Sequence, residues 1–316
     1  MNRPLLLAVV RHEDGKLVLQ SGAVEVVLEG NEVGLAEQVL ELCDGTRMSD
    51  DILSQWPGER EDILELLKKL KQLGVVADCT QAFRFFHRAS SNGENPFFEP
   101  RTDEEIAAIT AAPRWEPSNA GKVLETPDSG LELARLLAQR SSAYPEDSGT
   151  KLTLQSLSGI VRATYGFTES GHRTVPSGGA LYPLVIHVAA HGQIDGLNRG
   201  LWWFNVETGM LQSVNPAKQD VFTIMLNAEP TDELLSQGQV VIFISADLDR
   251  SAQKYGNRAY RYVLLEAGAA MQNAMLAAAE LGVKMRPIGG FLDRETQEFL
   301  ELSEEVVPLL TIITGG

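Results

Sequence analysis

The sequence predicts an α+β protein built from two unequal units. Its 316 residues exceed what one hydrophobic core usually serves. Short Val- and Leu-rich runs of strand character are mixed along the chain with stretches at helical spacing. Between about Thr80 and Gly130 lie Pro96, Pro100, Pro113, Pro117 and Pro127 beside Ser90-Ser91-Asn92-Gly93, the composition of an extended linker. The units therefore read as 1–80 and 131–316, joined by 81–130.

In the first unit, Leu5 to Val10, Lys16 to Gln20 and Val24 to Leu28 read as strands. Asp14-Gly15 and Ser21-Gly22 supply the turns of a meander, since Gly tolerates positive φ. The period then changes. Leu35, Val39, Leu40 and Leu42 recur at helical spacing up to Asp44-Gly45. Ser49 is placed to cap a short helix carrying Ile52 and Leu53. A third helix runs from about Glu59 to Leu73 on the stripe Ile63, Leu66, Leu67, Leu70 and Leu73, and Gly74 stops it. Val75-Val76 returns as a strand. Three helices and a strand, with a sheet placed in front, form a winged-helix-like pattern. The linker admits one short helix over Asp103–Thr110, and Phe83, Phe85, Phe86, Phe97, Phe98 and Trp115 predict that it packs on something.

In the second unit, Leu133, Leu136 and Leu137 mark a helix ending at Arg140, and another runs from Leu154 to Thr164. A strand covers Val185 to Ala189, and Leu201–Val206 with Met210–Val214 form a hairpin around Thr208-Gly209. Val240 to Ala246 is a continuous apolar strand, and Pro308 to Thr314 is the last. Tyr260 to Leu281 is a long helix, apolar on nearly every face, which predicts burial nearly all round, either at a domain centre or at a dimer interface. Gln272 and Asn273 lie in its apolar run and need partners, either backbone groups or a bound polar ligand.

Charge narrows the function. With 27 Lys+Arg against 43 Asp+Glu the formal net charge is −16, wrong for holding a nucleic-acid backbone or docking on an anionic membrane. Residues 1–80 carry eight basic and fifteen acidic side chains, which argues against a DNA-binding winged helix. No run is long enough to span a bilayer, and the apolar stretch from Leu5 is short for a secretory signal. Cys43 and Cys79 give neither a disulfide framework nor a metal cluster, so a cytoplasmic, reducing compartment and no metal are expected.

Three constellations carry chemistry. Arg140-Ser141-Ser142, an Arg fork beside hydroxyls, suits a phosphate or reads as ordinary surface. The run from Arg173 to Pro183 contains Pro176-Ser177-Gly178-Gly179-Ala180, whose Ser-Gly-Gly-Ala lets backbone amides approach a planar or anionic ligand, or is a tight loop feeding a strand. Lys254-Tyr255 can move protons where burial or charge brings their pKa values towards neutrality, or is a solvated pair.

Pro176 to Pro183, Lys254-Tyr255 with Arg258-Ala259-Tyr260-Arg261, Glu266-Ala267-Gly268 with Gln272-Asn273, and Pro287-Ile288-Gly289-Gly290-Phe291 occur in this order and spacing. The set, covering about Leu131 to Gly316, resembles the azoline dehydrogenases of the microcin B17 and streptolysin S systems, FMN enzymes of the nitroreductase superfamily. The resemblance implies a nitroreductase-like domain of helices around an antiparallel-rich sheet, a homodimer with FMN at its interface, and oxidation of thiazoline or oxazoline rings in a ribosomally made precursor peptide. It implies that Arg140, Ser141 and Ser142 hold the phosphate and ribityl end. Pro176, Ser177, Gly178 and Gly179 border the isoalloxazine, Ile288, Gly289 and Gly290 give backbone contacts near its reactive face, and Gln272 and Asn273 lie alongside. By the same resemblance, Lys254 and Tyr255 match the family's catalytic Lys-Tyr pair. Ala143 and Tyr144 stand where the family often has a further Arg, so Arg258, Arg261, Lys284 or Arg286 is expected to compensate. The first unit resembles the peptide-recognition element of ribosomal-peptide modification enzymes, which adds a leader peptide as a strand; docking of cyclodehydratase partner proteins is the alternative use.

Overall fold

The computed structural model describes residues 3–21, 24–30, 32–79, 83, 87, 102–111, 133–142, 150–191, 194–215 and 240–314. Of the linker aromatics, Phe83 is described and buried; Phe85, Phe86, Phe97, Phe98 and Trp115 lie outside these residues. The expected linker helix is present as Asp103–Ala111.

The first unit closes its own core. Strands β2 (Val9–Glu13), β3 (Lys16–Ser21) and β4 (Val24–Leu28) form an antiparallel meander in the order β2-β3-β4. Helices α1 (Glu32–Glu41), α2 (Ser49–Leu53) and α3 (Arg60–Gln72) follow. Leu17, Leu19, Val39, Ile52, Ile63, Leu67 and Leu70 meet in one apolar cluster. Two local expectations are corrected. The first apolar run is two strands: β1 (Pro4–Leu6) pairs with β5 (Val76–Asp78), and the chain then turns so that β2 pairs with β3. Ser49 is the first helical residue of α2, and Met48 occupies the cap. Both cysteines are free. Burial pushes the Cys43 thiol up to about 12, as befits a small core residue rather than a reactive one.

The second unit is a six-stranded antiparallel sheet in the order β10-β11-β9-β6-β7-β8. Its strands are β6 (Leu184–Ala190), β7 (Gly200–Asn205), β8 (Met210–Asn215), β9 (Val240–Asp247), β10 (Met285–Ile288) and β11 (Val306–Thr314). Pro308 sits in an interior strand because the register of β11 on β9 shifts there, a bulge at which no ladder N–H is needed. Outside the sheet lie α4 (Asp103–Ala111), α5 (Leu133–Gln139), α6 (Leu154–Tyr165), α7 (Leu248–Tyr255), α8 (Ala259–Leu281) and α9 (Asp293–Phe299). Thr153 and Ser156 close a reciprocal cap on α6 at 2.8 and 3.1 Å.

Alternation along the strands divides two cores. Ile186, Val188, Ile242 and Ile244 face α6 and α8, while Ala189, Val241, Phe243 and Ile313 face α9. The long helix is less enclosed than its composition predicts. Ala267, Ala270, Ala274 and Ala278 are buried, but Leu264 and Leu265 are 44% and 72% exposed. Among the described residues no helix is long and apolar enough to cross a membrane.

His187, 5% exposed on β6, lies opposite Phe243 and Trp203, and its Nδ1 finds no partner among the described residues. Burial pushes its pKa down to about 4. The neutral ring is therefore favoured in the folded state, and its contribution is fully present above pH ~6.5 and is lost as pH falls towards 4. His187→Gln should remove a pH-dependent loss of about 2–3 kcal/mol between pH 7 and pH 4.5. Urea midpoints at the two pH values check this, and parallel behaviour of wild type and variant would refute it.

Candidate functional site

Strand β9 ends at Asp247, whose carboxylate caps α7 by accepting the Arg250 N–H at 3.0 Å. One helix later come Lys254 and Tyr255, and Gly256, at φ 53°, turns the chain into α8. The Lys254 amine lies 5.3 Å from the centre of the Tyr255 ring, which meets Tyr262 edge-on at 4.9 Å. Tyr255 is half-buried but Lys254 is exposed in the single chain, short of the partial desolvation its expected role needs.

The Ser177-Gly178-Gly179 loop lies directly against this pair. A Cβ on Gly178 would sit 3.3 Å from the Tyr262 ring. A Cβ on Gly179 would sit 2.7 Å from Lys254 Nζ and collide with the Tyr255 hydroxyl, and Gly179 has φ 65°. Close approach and positive φ together require glycine at 179, whereas a side chain at 178 would be tight against Tyr262. Beyond them, Ala180 (φ 55°) and Tyr182 (φ 49°) hold left-handed conformations without being glycine, a cost of about 1–3 kcal/mol each that the surroundings must offset.

Those surroundings form a buried polar network. Glu266, 3% exposed on α8, accepts the Tyr165 hydroxyl at 2.7 Å and the Ser177 hydroxyl. Tyr165 Oη accepts the Leu184 N–H at 3.1 Å, and Ser177 Oγ accepts the Tyr182 N–H at 2.9 Å. The Arg173 guanidinium lies 4.3 Å from the Tyr165 ring centre and 4.4 Å from that of Tyr182. Burial raises the Glu266 pKa, opposed by the two hydroxyl hydrogen bonds and the Arg173 charge; burial also raises that of Tyr165. Arg250 Nε donates to the Leu181 carbonyl. On the far side of Tyr182 a cavity of about 490 Å³ opens between Arg173, Arg250 and Trp203.

A second cluster forms at the other end of α8. Ser141 and Lys284 line a cavity of about 230 Å³ with Met275, Ala279 and Gly282. Arg286 Nη1 donates to the Ser142 carbonyl at 3.4 Å. Of the four cations expected to compensate, Lys284 and Arg286 are therefore beside the serines, whereas Arg258 lies against Tyr262 at the opposite end. Arg140, half-buried, follows α5 but does not line the cavity. Ile288 ends β10, its carbonyl accepting the Thr311 hydroxyl at 2.9 Å, and Gly289 and Gly290 follow. A Cβ on Gly289 would meet open space. Asn273 donates to the Thr174 carbonyl at 2.9 Å, tying α8 to the segment before the exposed Pro176, which is one of the two uses foreseen for that amide; Gln272 is half-buried beside it.

The residues without a role in the sequence reading are Tyr165, Arg173, Asn257 and, as the centre of the network, Glu266. Glu266 carried a signal: it is the one charged residue between Val263 and Ala279, and a lone acid on an apolar helix is buried only when paired. Asn257 carried none. Its amide donates to the Cys79 carbonyl and accepts the Phe83 N–H at 3.2 Å, tying the turn after Tyr255 to the chain leaving the first unit.

Gly179→Ala should displace Lys254 and Tyr255 without unfolding the sheet. With the pair in the catalytic role expected from the sequence, a shift of about 1 Å should cost about a hundredfold in turnover, with a far-ultraviolet spectrum like that of wild type. Full activity in this variant would show that the loop does not set the position of the pair.

Comparison with known proteins places this geometry in a family. The sequence profile of the nitroreductase family matches residues 137–316. MJ1384, a nitroreductase-type protein of Methanocaldococcus jannaschii, is 34% identical over 194 residues, 61% of this chain and 95% of that protein. The microcin B17-processing protein McbC of Escherichia coli is 24% identical over 174 residues, 52% of this chain and 62% of that protein. Among solved structures, the E. coli microcin synthetase McbBCD complex with truncated pro-MccB17 bound shares the fold at a TM-score of 0.64 and 19% identity, covering 75% of this chain and 92% of its own. A nitroreductase-type structure from Ralstonia eutropha gives 0.50 at 24% identity, covering 61% and 87%. The chain belongs to the nitroreductase family, whose members bind flavin.

Proposed function

We propose that the chain is an FMN-dependent dehydrogenase that oxidises azoline rings in a ribosomally made peptide to azoles. The observation that carries this is the close approach of Gly179 to the Lys254–Tyr255 pair. The similarity to McbC, named for microcin B17 processing, supports a peptide substrate. The greater identity to MJ1384 favours a second reading, a nitroreductase-type oxidoreductase of a small molecule.

The residues fit a flavin mononucleotide. Ser141, Lys284 and Arg286 offer a hydroxyl and two cations, the donor set for a phosphate. The open space at Gly289 leaves room for a ring system. Bound FMN supplies the two-electron acceptor that takes the hydride from one ring carbon. Lys254 or Tyr255 takes the proton from the neighbouring carbon, so that one C–H pair becomes a C=C bond and the ring becomes aromatic.

The two clusters lie at opposite ends of α8. From Tyr262 to Ala279 the helix rises about 25 Å at about 1.5 Å per residue. A complete site is then built from two copies, the serine end of one facing the loop and Lys-Tyr pair of the other. The exposed Leu264 and Leu265, and the exposed Lys254 that a second chain would cover, support a homodimer. In the first unit, β4 is an edge strand of its sheet, and a leader peptide would add beside it. Docking of a cyclodehydratase partner is the other use of that edge. The acidic charge supports an enzyme that does not hold nucleic acid.

An azoline-bearing peptide should lose two hydrogens per ring on incubation with the loaded protein, read by mass spectrometry. Lys254→Ala should keep its flavin and slow this by about a hundredfold or more, the scale of a lost general base; undiminished turnover would exclude the assignment. A Lys254→Ala chain mixed and refolded with a Ser141→Ala/Lys284→Ala chain should recover about a quarter of wild-type activity, since half the dimers are mixed and each has one intact site. No recovery would mean that each chain carries its whole site.

A further inference from the structure

We infer that Glu266 is the positioning residue for the catalytic loop: one buried carboxylate, reaching through two hydroxyls, holds both ends of the strained segment that sets the place of Lys254 and Tyr255. This rests on the functional reading above.

Each hydroxyl has the same double use. Ser177 Oγ takes the Tyr182 N–H and gives its proton to Glu266. Tyr165 Oη takes the Leu184 N–H and gives its proton to Glu266 Oε1. The carboxylate thereby fixes two backbone N–H groups, at positions 182 and 184, that flank the turn into β6. Between the anchor at Ser177 and the anchor at Leu184 lie Gly179, Ala180 and Tyr182, all with positive φ. A segment with two non-glycine residues in that region persists only if its ends are held. A neutral apolar side chain at 266 would leave two buried hydroxyls without an acceptor. The loop would then relax away from α7, and the Lys254–Tyr255 pair, packed on Gly179, would lose its backstop.

The network is local. Arg173 stacks on the two tyrosines it connects, Tyr165 and Tyr182, and adds its N–H to the Tyr165 carbonyl at 3.1 Å. Glu266 is buried, and its partners are Tyr165 and Ser177 rather than Lys254 or Tyr255. Its effect passes through the loop.

The test compares Glu266→Leu, Glu266→Gln, Tyr165→Phe and Ser177→Ala in the full chain by amide hydrogen exchange, by FMN titration and by turnover of an azoline peptide. In Glu266→Leu, exchange at residues 178–184 should rise about tenfold or more while the amides of β9 and β11 keep wild-type protection, and kcat should fall about tenfold, equivalent to ~1.4 kcal/mol, with a smaller change in KM. Glu266→Gln, which keeps an acceptor oxygen, should recover the greater part of both. Wild-type exchange at 178–184 in Glu266→Leu, or a rise spread evenly over the chain, would overturn the inference. If Glu266→Leu does not fold, Tyr165→Phe and Ser177→Ala, each lacking one hydroxyl, carry the same test, and unchanged loop exchange in both overturns it. Hydrogen exchange needs no substrate, so a wild-type chain inert on azolines would sink the functional reading and leave this result legible.

Discussion

Helix α8 must lie with its small residues against the sheet and α6, and much of the second unit is built to that constraint. Ala267, Ala270, Ala274 and Ala278 form a buried stripe at spacings of three and four, narrow enough for close approach. Glu266 falls on the same buried side and cannot reach water. It therefore takes its hydrogen bonds from Tyr165 at the end of α6 and from Ser177 in the loop before β6. Satisfying one buried charge orders the segment on which Lys254 and Tyr255 rest.

The length of the same helix separates the site into halves. Its first turn carries Tyr262 against Gly178, and its last turn carries Ala279, with Gly282 just beyond, beside Ser141 and Lys284. Under the proposed function a dimer brings the halves of neighbouring copies together. Such a dimer would cover the outward leucines and supply Lys254 with the dry surroundings that a single chain withholds.

Much of the architecture was legible in the residues. The meander of the first unit follows from Asp14-Gly15 between alternating strands, and α3 from its leucine stripe and Gly74. The hairpin of β7 and β8, the buried strand β9 and the extent of α8 follow from periodicity and turn chemistry. Short or polar elements were not legible. Strand β10, four residues with a proline, and α9, rich in charge, owe their form to tertiary packing rather than pattern. The break of the first strand at residues 7–8 was hidden because both halves are apolar and only the distant partner β5 distinguishes them. In the site, the glycines and the Lys-Tyr pair were legible as residue types, and their contact was not, since it joins positions about 75 apart in the chain. The sorting of Lys284 and Arg286 from Arg258 likewise required the fold.

The most direct measurement is the absorption spectrum of the purified chain, with its released cofactor identified by chromatography and its mass in solution determined alongside. The account predicts FMN at about one per chain in a dimer. A monomer that takes up no flavin, even when FMN is added, would contradict it.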